Sequence, residues 1–213
     1  MKRTSLLTIA LASAVLFSCN QADNTKKEAE SAQSGNAAAE KVEWVIDTEN
    51  SVVNWKGGTS GAMVYSHYGT IDIKEGRLTS EGDKITAGMV VIDMTTINPT
   101  DDGYSEEHPK EDLIAHLSSP DFFDVANHPV STFEITGTEG NVVKGNLTIR
   151  GITHPEEVEL SDMKIGEDGT LHAKGKLVFD RQQFNVSWKH YMQDVILSDD
   201  IILEFDLKAN KAN

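Results

Sequence analysis

From Val42 to about Ala209 the chain is a succession of short segments in which apolar and polar residues alternate, separated by Gly, Asp and Asn. A period of two marks a strand with one buried face, because successive side chains point to opposite sides of the pleat. The alternation is clearest at 171–179, where Leu171, Ala173, Gly175, Leu177 and Phe179 oppose His172, Lys174, Lys176 and Val178. It recurs at 201–208, with Ile201, Leu203, Phe205 and Leu207 against Ile202, Glu204, Asp206 and Lys208. Further strands are predicted at 51–56, 69–73, 84–94, 131–136, 142–149 and 156–165. Glu81-Gly82-Asp83, Glu139-Gly140-Asn141 and Glu167-Asp168-Gly169 are turn signals that favour sequential hairpins.

One segment departs from this period. Residues 108–119 place Pro109 in a first turn, carry acids early, set Leu113 and Leu117 four apart and stop before Pro120, which predicts a short helix. The strand at 84–94 is apolar on both faces through Val90, Val91, Ile92 and Met94. A helix covering its outer side would explain that. An all-β chain of this size with one covering helix predicts a closed barrel in a single domain.

The N-terminus changes the picture of where this domain works. Lys2 and Arg3 precede an apolar run from Leu6 to Phe17, followed by Ser18 and Cys19, the order of a secretory signal. That run is too short to span a bilayer as a helix. Leu16-Phe17-Ser18-Cys19 resembles a bacterial lipobox, so Cys19 is the expected site of lipid attachment and the mature N-terminus. Residues 1–18 are then a signal peptide, and 19–41 a tether without branched aliphatic or aromatic side chains up to Lys41. Such a composition cannot offset the entropy of ordering, and its contour reaches about 70 Å at roughly 3.3 Å per residue. Its Ala and Glu would also suit a surface helix, but there is no apolar stripe to dock one. The barrel domain is assigned to 42–213.

With Cys19 acylated the folded part has no thiol, hence no disulfide and no thiolate metal site. Removing the signal takes the 19 Lys and Arg to 17 against 34 acids, a net charge of −17. Such a surface repels phosphate backbones and anionic head groups, so nucleic acid is not an expected partner and membrane contact is expected through the acyl anchor alone.

Candidate chemistry is sparse. No two of the seven histidines stand two, three or four residues apart, so no single face presents a pair of metal ligands. His116 and His128 read as hydrogen-bonded structural residues, and His154, before Pro155, as a turn residue. There is no Gly-x-Ser-x-Gly, phosphate loop or dinucleotide fingerprint, and Asp101-Asp102, Glu106-Glu107 and Asp199-Asp200 read as solvated acids. No metal, cofactor or catalytic set is assigned. Trp55, Met89, Phe133, Phe179, Phe184, Trp188, Met192 and Phe205 could line a ligand cavity. A core filled by side chains is the default for a small barrel, and the residues alone leave that choice open.

Five groups of residues, taken in order, form a recognisable set. They are Trp44-Val45-Ile46-Asp47 with Ser51-Val52-Val53; His116-Leu117-Ser118-Ser119-Pro120-Asp121-Phe122-Phe123-Asp124; and His128-Pro129-Val130-Ser131-Thr132-Phe133. Gly145-Asn146-Leu147-Thr148-Ile149-Arg150-Gly151-Ile152-Thr153-His154-Pro155 and Asp180-Arg181 with Phe184 complete the set. Together they resemble the YceI-like proteins, also called lipid- or polyisoprenoid-binding YceI-like domain proteins. The resemblance implies an extended lipocalin-like antiparallel barrel of eight strands, an envelope location, and an apolar ligand (polyisoprenoid, quinone or other lipid) in the lumen. On that reading the lumen is lined from the first half by Trp55, Ile71, Ile73, Met89 and Val91. Phe133, Ile135, Leu147, Ile149, Leu177, Phe179, Phe184, Trp188 and Phe205 complete it. The first third departs from the commoner pattern: Asn54-Trp55-Lys56-Gly57-Gly58 leads into a longer loop, and Thr70-Ile71-Asp72-Ile73 lacks aromatics. Ligand identity is what this departure leaves open.

The expected function is therefore a lipid-anchored envelope binding protein rather than an enzyme, at an outer membrane facing the periplasm or the cell surface, with a homodimer left open. A structural or stress-related protein with a filled barrel is the alternative. A barrel isomerase or hydratase ranks below both.

Overall fold

The computed structural model describes residues 40–213; the expected signal peptide, Cys19 and all but the end of the expected tether lie outside it. In chain order the strands are β1 (Lys41–Ile46), β2 (Val52–Gly61), β3 (Ser66–Glu81), β4 (Lys84–Pro99), β5 (Val130–Glu139), β6 (Val142–Ile149), β7 (Ile152–Ile165), β8 (Leu171–Asp180), β9 (Val195–Leu197) and β10 (Asp200–Lys211). A helix, α1 (Lys110–Ser118), lies between β4 and β5, and a 3-10 turn follows β8 at Arg181–Phe184.

β3 through β8 form an antiparallel meander, and β10 pairs with β8. The gap between β10 and β3 is closed by two strands laid end to end. β1 fills one half, pairing Trp44 with both Lys211 and Leu78; β2 fills the other, pairing Val53 with both Phe205 and Ile71. Eight staves thus close the barrel and leave β9 as a short extension beside the far end of β2, with Ser60 opposite Ile196. β1 and β9 are additions to the expected strands, and β1 begins at Lys41, the last residue assigned to the tether.

The end of the barrel next to β1 is plugged. Trp44, Ile46, Leu171 and Ala209 are buried there, and Trp44 Nε1 donates to the buried Ser80 Oγ at 2.9 Å. At the opposite end β6 and β7 are joined by Arg150 and Gly151 alone, since Ile149 pairs with Ile152. Both residues have positive φ, 52° and 72°, the requirement of a two-residue hairpin whose twist matches its strands. Arg150 tolerates this conformation while its guanidinium donates to the carbonyls of Phe122, Asn185 and Pro120 at 2.7, 2.8 and 3.1 Å. One turn residue thereby ties the segment after α1 to the segment after β8.

α1 is shorter than the predicted span. Pro109 is its N-cap residue, Glu111 and Asp112 sit favourably in the first turn, and Ser119 and Pro120 end it. It does not cover the outer face of β4, where Met89 is 44% exposed. Leu113, His116 and Leu117, at helical spacing on one face, point instead into the barrel interior.

Candidate ligand-binding site

The interior holds a cavity of about 290 Å³, at the lower edge of the roughly 300–1,000 Å³ usual for small-molecule sites. β8 contributes Ala173, Leu177 and Phe179, and β10 contributes Ile201, Leu203, Phe205 and Leu207. From Ile201 to Leu207 the lined length of one strand is about 20 Å at roughly 3.3 Å per residue. The cavity starts beyond the Trp44 plug, near Leu78, Ile85 and Val143, and reaches Tyr65, His67, Trp188 and Leu197 at the end that carries α1 and β9.

Of the expected lumen residues, Trp55, Ile71, Phe133, Ile135, Leu147, Ile149, Leu177, Phe179, Trp188 and Phe205 occupy cavity-lining positions. Ile73, Met89, Val91 and Phe184 do not. Thr79 pairs with Ala87 and Ser80 with Ile85, so Thr86 is an extra residue that reverses the facing of the strand beyond it. Val90, Ile92 and Met94 consequently turn inward, and Met89 and Val91 turn away from the lumen. Ile73 is buried on the inward face opposite Ile92, next to a second register shift between Ile73 and Glu75, but it packs in the core without reaching the cavity. Phe184 is fully buried in the core, its ring edge-on to Phe179 at 5.5 Å and to His154 at 5.3 Å, and does not reach the cavity. His154 is accordingly a strand residue in β7, paired with Leu147, and not a turn residue. Missed from the sequence were Val53, Leu113 and Leu117 as lining residues, while Phe122 and Phe123, expected to plug the barrel wall or its end, also line the cavity. The helical spacing of Leu113, His116 and Leu117 was a usable signal, but only the closed barrel gives that face a lumen to meet.

Two inward glycines shape the wall. A Cβ on Gly175 would lie 2.7 Å from both Phe205 Cζ and Glu159 O, and one on Gly145 would lie 2.7 Å from Phe133 Cε1. Each glycine therefore seats the edge of a phenyl ring that a side chain would push off the wall.

Several polar groups on the lining are engaged by other protein groups. Thr59 Oγ1 donates to Met63 O at 3.0 Å, and Trp55 Nε1 donates to Thr70 O at 3.0 Å. At the mouth His67 Nδ1 meets Asp101 Oδ2 at 2.8 Å, and Tyr104 Oη donates to Asp101 Oδ1 at 2.8 Å. Burial works against the Asp101 charge, but hydrogen bonds from His67, Tyr104 and the Tyr68 amide hold its pKa below the ordinary carboxylate value. Burial, reinforced by Asp101, raises the Tyr104 phenol well above its ordinary value. His116 Nε2 and Ser131 Oγ, by contrast, are buried without any hydrogen-bond partner among the described residues. His116 is thus not the hydrogen-bonded structural histidine expected. Its ring stands edge-on to Trp188 at 4.6 Å and to Phe122 at 5.4 Å, and burial lowers its pKa while Asp121 weakly opposes. No Lys or Arg lines the cavity, and no cluster of three or more His, Cys, Asp or Glu suited to a metal ion occurs among the described residues.

A family profile described as the YceI-like domain matches residues 44–209. The chain belongs to the YceI-like family. A UPF0312 protein of Azotobacter vinelandii is 31% identical to this YceI-like chain over 146 residues, 65% of this chain and 71% of that one. UPF0312 proteins of Pseudomonas aeruginosa match at 30% identity, and the matched stretch spans about half their length, 51%. Among solved structures, BcnA of Burkholderia cenocepacia superposes with a TM-score of 0.56 at 20% identity, covering 78% of this chain and 99% of its own, which shows the shared barrel. A domain of Saccharophagus degradans described as polyisoprenoid-binding covers 80% of this chain and 99% of its own at 12% identity and a TM-score of 0.48.

Proposed function

We propose that this YceI-like protein is a carrier that shelters one apolar chain, a polyisoprenoid, quinone or other lipid, inside its barrel at the cell envelope. The observation that carries the reading is the cavity, closed at one end by Trp44 and walled almost entirely by aliphatic and aromatic side chains. Each methylene moved from water into such a lumen contributes about 0.8 kcal/mol, so about ten groups supply tight binding after association costs. Affinity on this account needs no catalytic group. The cavity also argues against the alternative of a structural protein with a side-chain-filled barrel.

Cys19, outside the described residues, is proposed as the lipid anchor, and the residues from 19 up to β1 as the leash that lets the barrel reach its ligand. Location at an outer membrane belongs to the same proposal. The deciding experiment is native mass spectrometry of protein purified from its own envelope. A stoichiometric apolar adduct, lost when Phe133 and Phe179 are replaced by Asp, supports the carrier. A domain that carries no adduct and takes up no quinone, prenol or fatty acid rules it out.

A further inference from the structure

Resting on the carrier reading, we infer that His116 and Ser131 hold a neutral oxygen function of the ligand, a hydroxyl or a carbonyl, at the helix-bearing end of the lumen. Ser131 is 6% exposed, it lines the cavity, and its hydroxyl has no partner among the described residues. The buried Nε2 of His116, on the same lining, is likewise unpaired. Trp55, Thr59 and His67 on the same wall are engaged by protein groups, and among the described residues only His116 Nε2 and Ser131 Oγ are side-chain polar atoms both fully buried and unpaired. A buried polar group without a partner is costly, and a ligand oxygen that satisfies it recovers that cost on binding.

Both groups come from the continuous segment that closes this end, His116 from α1 and Ser131 from the second position of β5. Ser131 pairs with the lining residue Ile92, and His116 packs on Phe122 and Trp188, so apolar surface flanks each. A ligand that meets them is apolar except at its oxygen. The oxygen is uncharged, because no Lys or Arg lines the cavity and an isolated phosphate or carboxylate would be buried without a counter-charge. A serine hydroxyl both donates and accepts, and so does a neutral imidazole through its two nitrogens. Hydroxyl and carbonyl groups therefore both fit, whereas a plain hydrocarbon leaves both protein atoms unpaired.

The test compares three probes that share one tail: geranylgeraniol, the hydrocarbon with a methyl in place of its CH2OH, and geranylgeranyl phosphate. Binding is read from Trp188 fluorescence in a variant carrying Trp44→Phe and Trp55→Phe, and from native mass spectrometry of the unaltered chain. The alcohol is expected to bind about tenfold or more tighter than the hydrocarbon, a ratio equivalent to about 1.4 kcal/mol. Ser131→Ala should reduce that ratio, and the pair His116→Phe with Ser131→Ala should bring it near one while the hydrocarbon binds as before. Ser131→Ala removes a single atom and keeps the test valid should the double variant fold poorly. An unchanged ratio in Ser131→Ala and in the double variant, or phosphate as the tightest probe, overturns the assignment while the carrier reading stands. Failure of all three probes to bind overturns both.

Discussion

The guanidinium of Arg181, with 2% of its side chain exposed, meets Asp199 Oδ1 at 3.1 Å, while Asp199 itself is 56% exposed. Arg181 also donates to Ser198 O at 2.9 Å, to Trp188 O at 3.2 Å and to Val186 O. One side chain thus gathers the strand-to-strand excursion that carries Trp188 to the mouth and returns it to β10. Replacing Arg181 with Met should cost about 3–5 kcal/mol, because several inward carbonyls lose their donor together. Asp199→Ala should cost under about 1 kcal/mol, since that partner is largely solvated. Thermal unfolding checks both: a fall of roughly 10 °C for the first and little change for the second are expected.

Gly175→Ala should destabilise by about 1–3 kcal/mol and weaken ligand uptake together. The new methyl meets both Phe205 and the Glu159 carbonyl, and the ring, the more yielding of the two, must swing into the lumen. Gly137→Ala, with nothing within 4 Å of its added Cβ, is the matched control. Equal uptake by the two variants would show that the ring seat does not shape the cavity.

Stability should carry a signature of His116 near neutral pH. Its folded pKa is depressed by burial, so below about 6.5 the unfolded chain binds a proton that the native state refuses. Stability should therefore fall as pH drops from about 7.5 to about 5.5, and fall less in His116→Phe. Glu156, whose pKa burial raises, acts in the opposite direction nearer its own range, which is why the difference between the two proteins is the quantity to measure. Denaturant titrations across that interval should show the wild-type chain losing more; identical slopes would remove His116 as the cause.

Mass spectrometry of the mature N-terminus should find a diacyl or triacyl cysteine at Cys19. Cys19→Ser should release the protein from membranes in fractionation. Retention of the variant in the membrane fraction would count against anchoring through this residue.

The sequence by itself determined the all-β class, the hairpin turns and the inward faces of β8 and β10. Neither face is interrupted by a bulge between Ala173 and Phe179 or between Ile201 and Leu207, apart from one shift in the β7 partner opposite Leu160. An unbroken period of two leaves only one way to bury its apolar side. Tertiary structure decided the rest. The reversal at Thr86 that turns Val90 and Ile92 inward and Met89 outward is set by pairing with β3, and the local pattern at 84–94 is apolar on either reading. The end-to-end sharing of one stave by β1 and β2 depends on closure between β3 and β10, more than a hundred residues apart in the chain. His116 and Ser131 became candidates for a ligand contact only in the folded barrel, because whether a buried polar atom has a partner is a property of the groups around it and not of its place in the sequence.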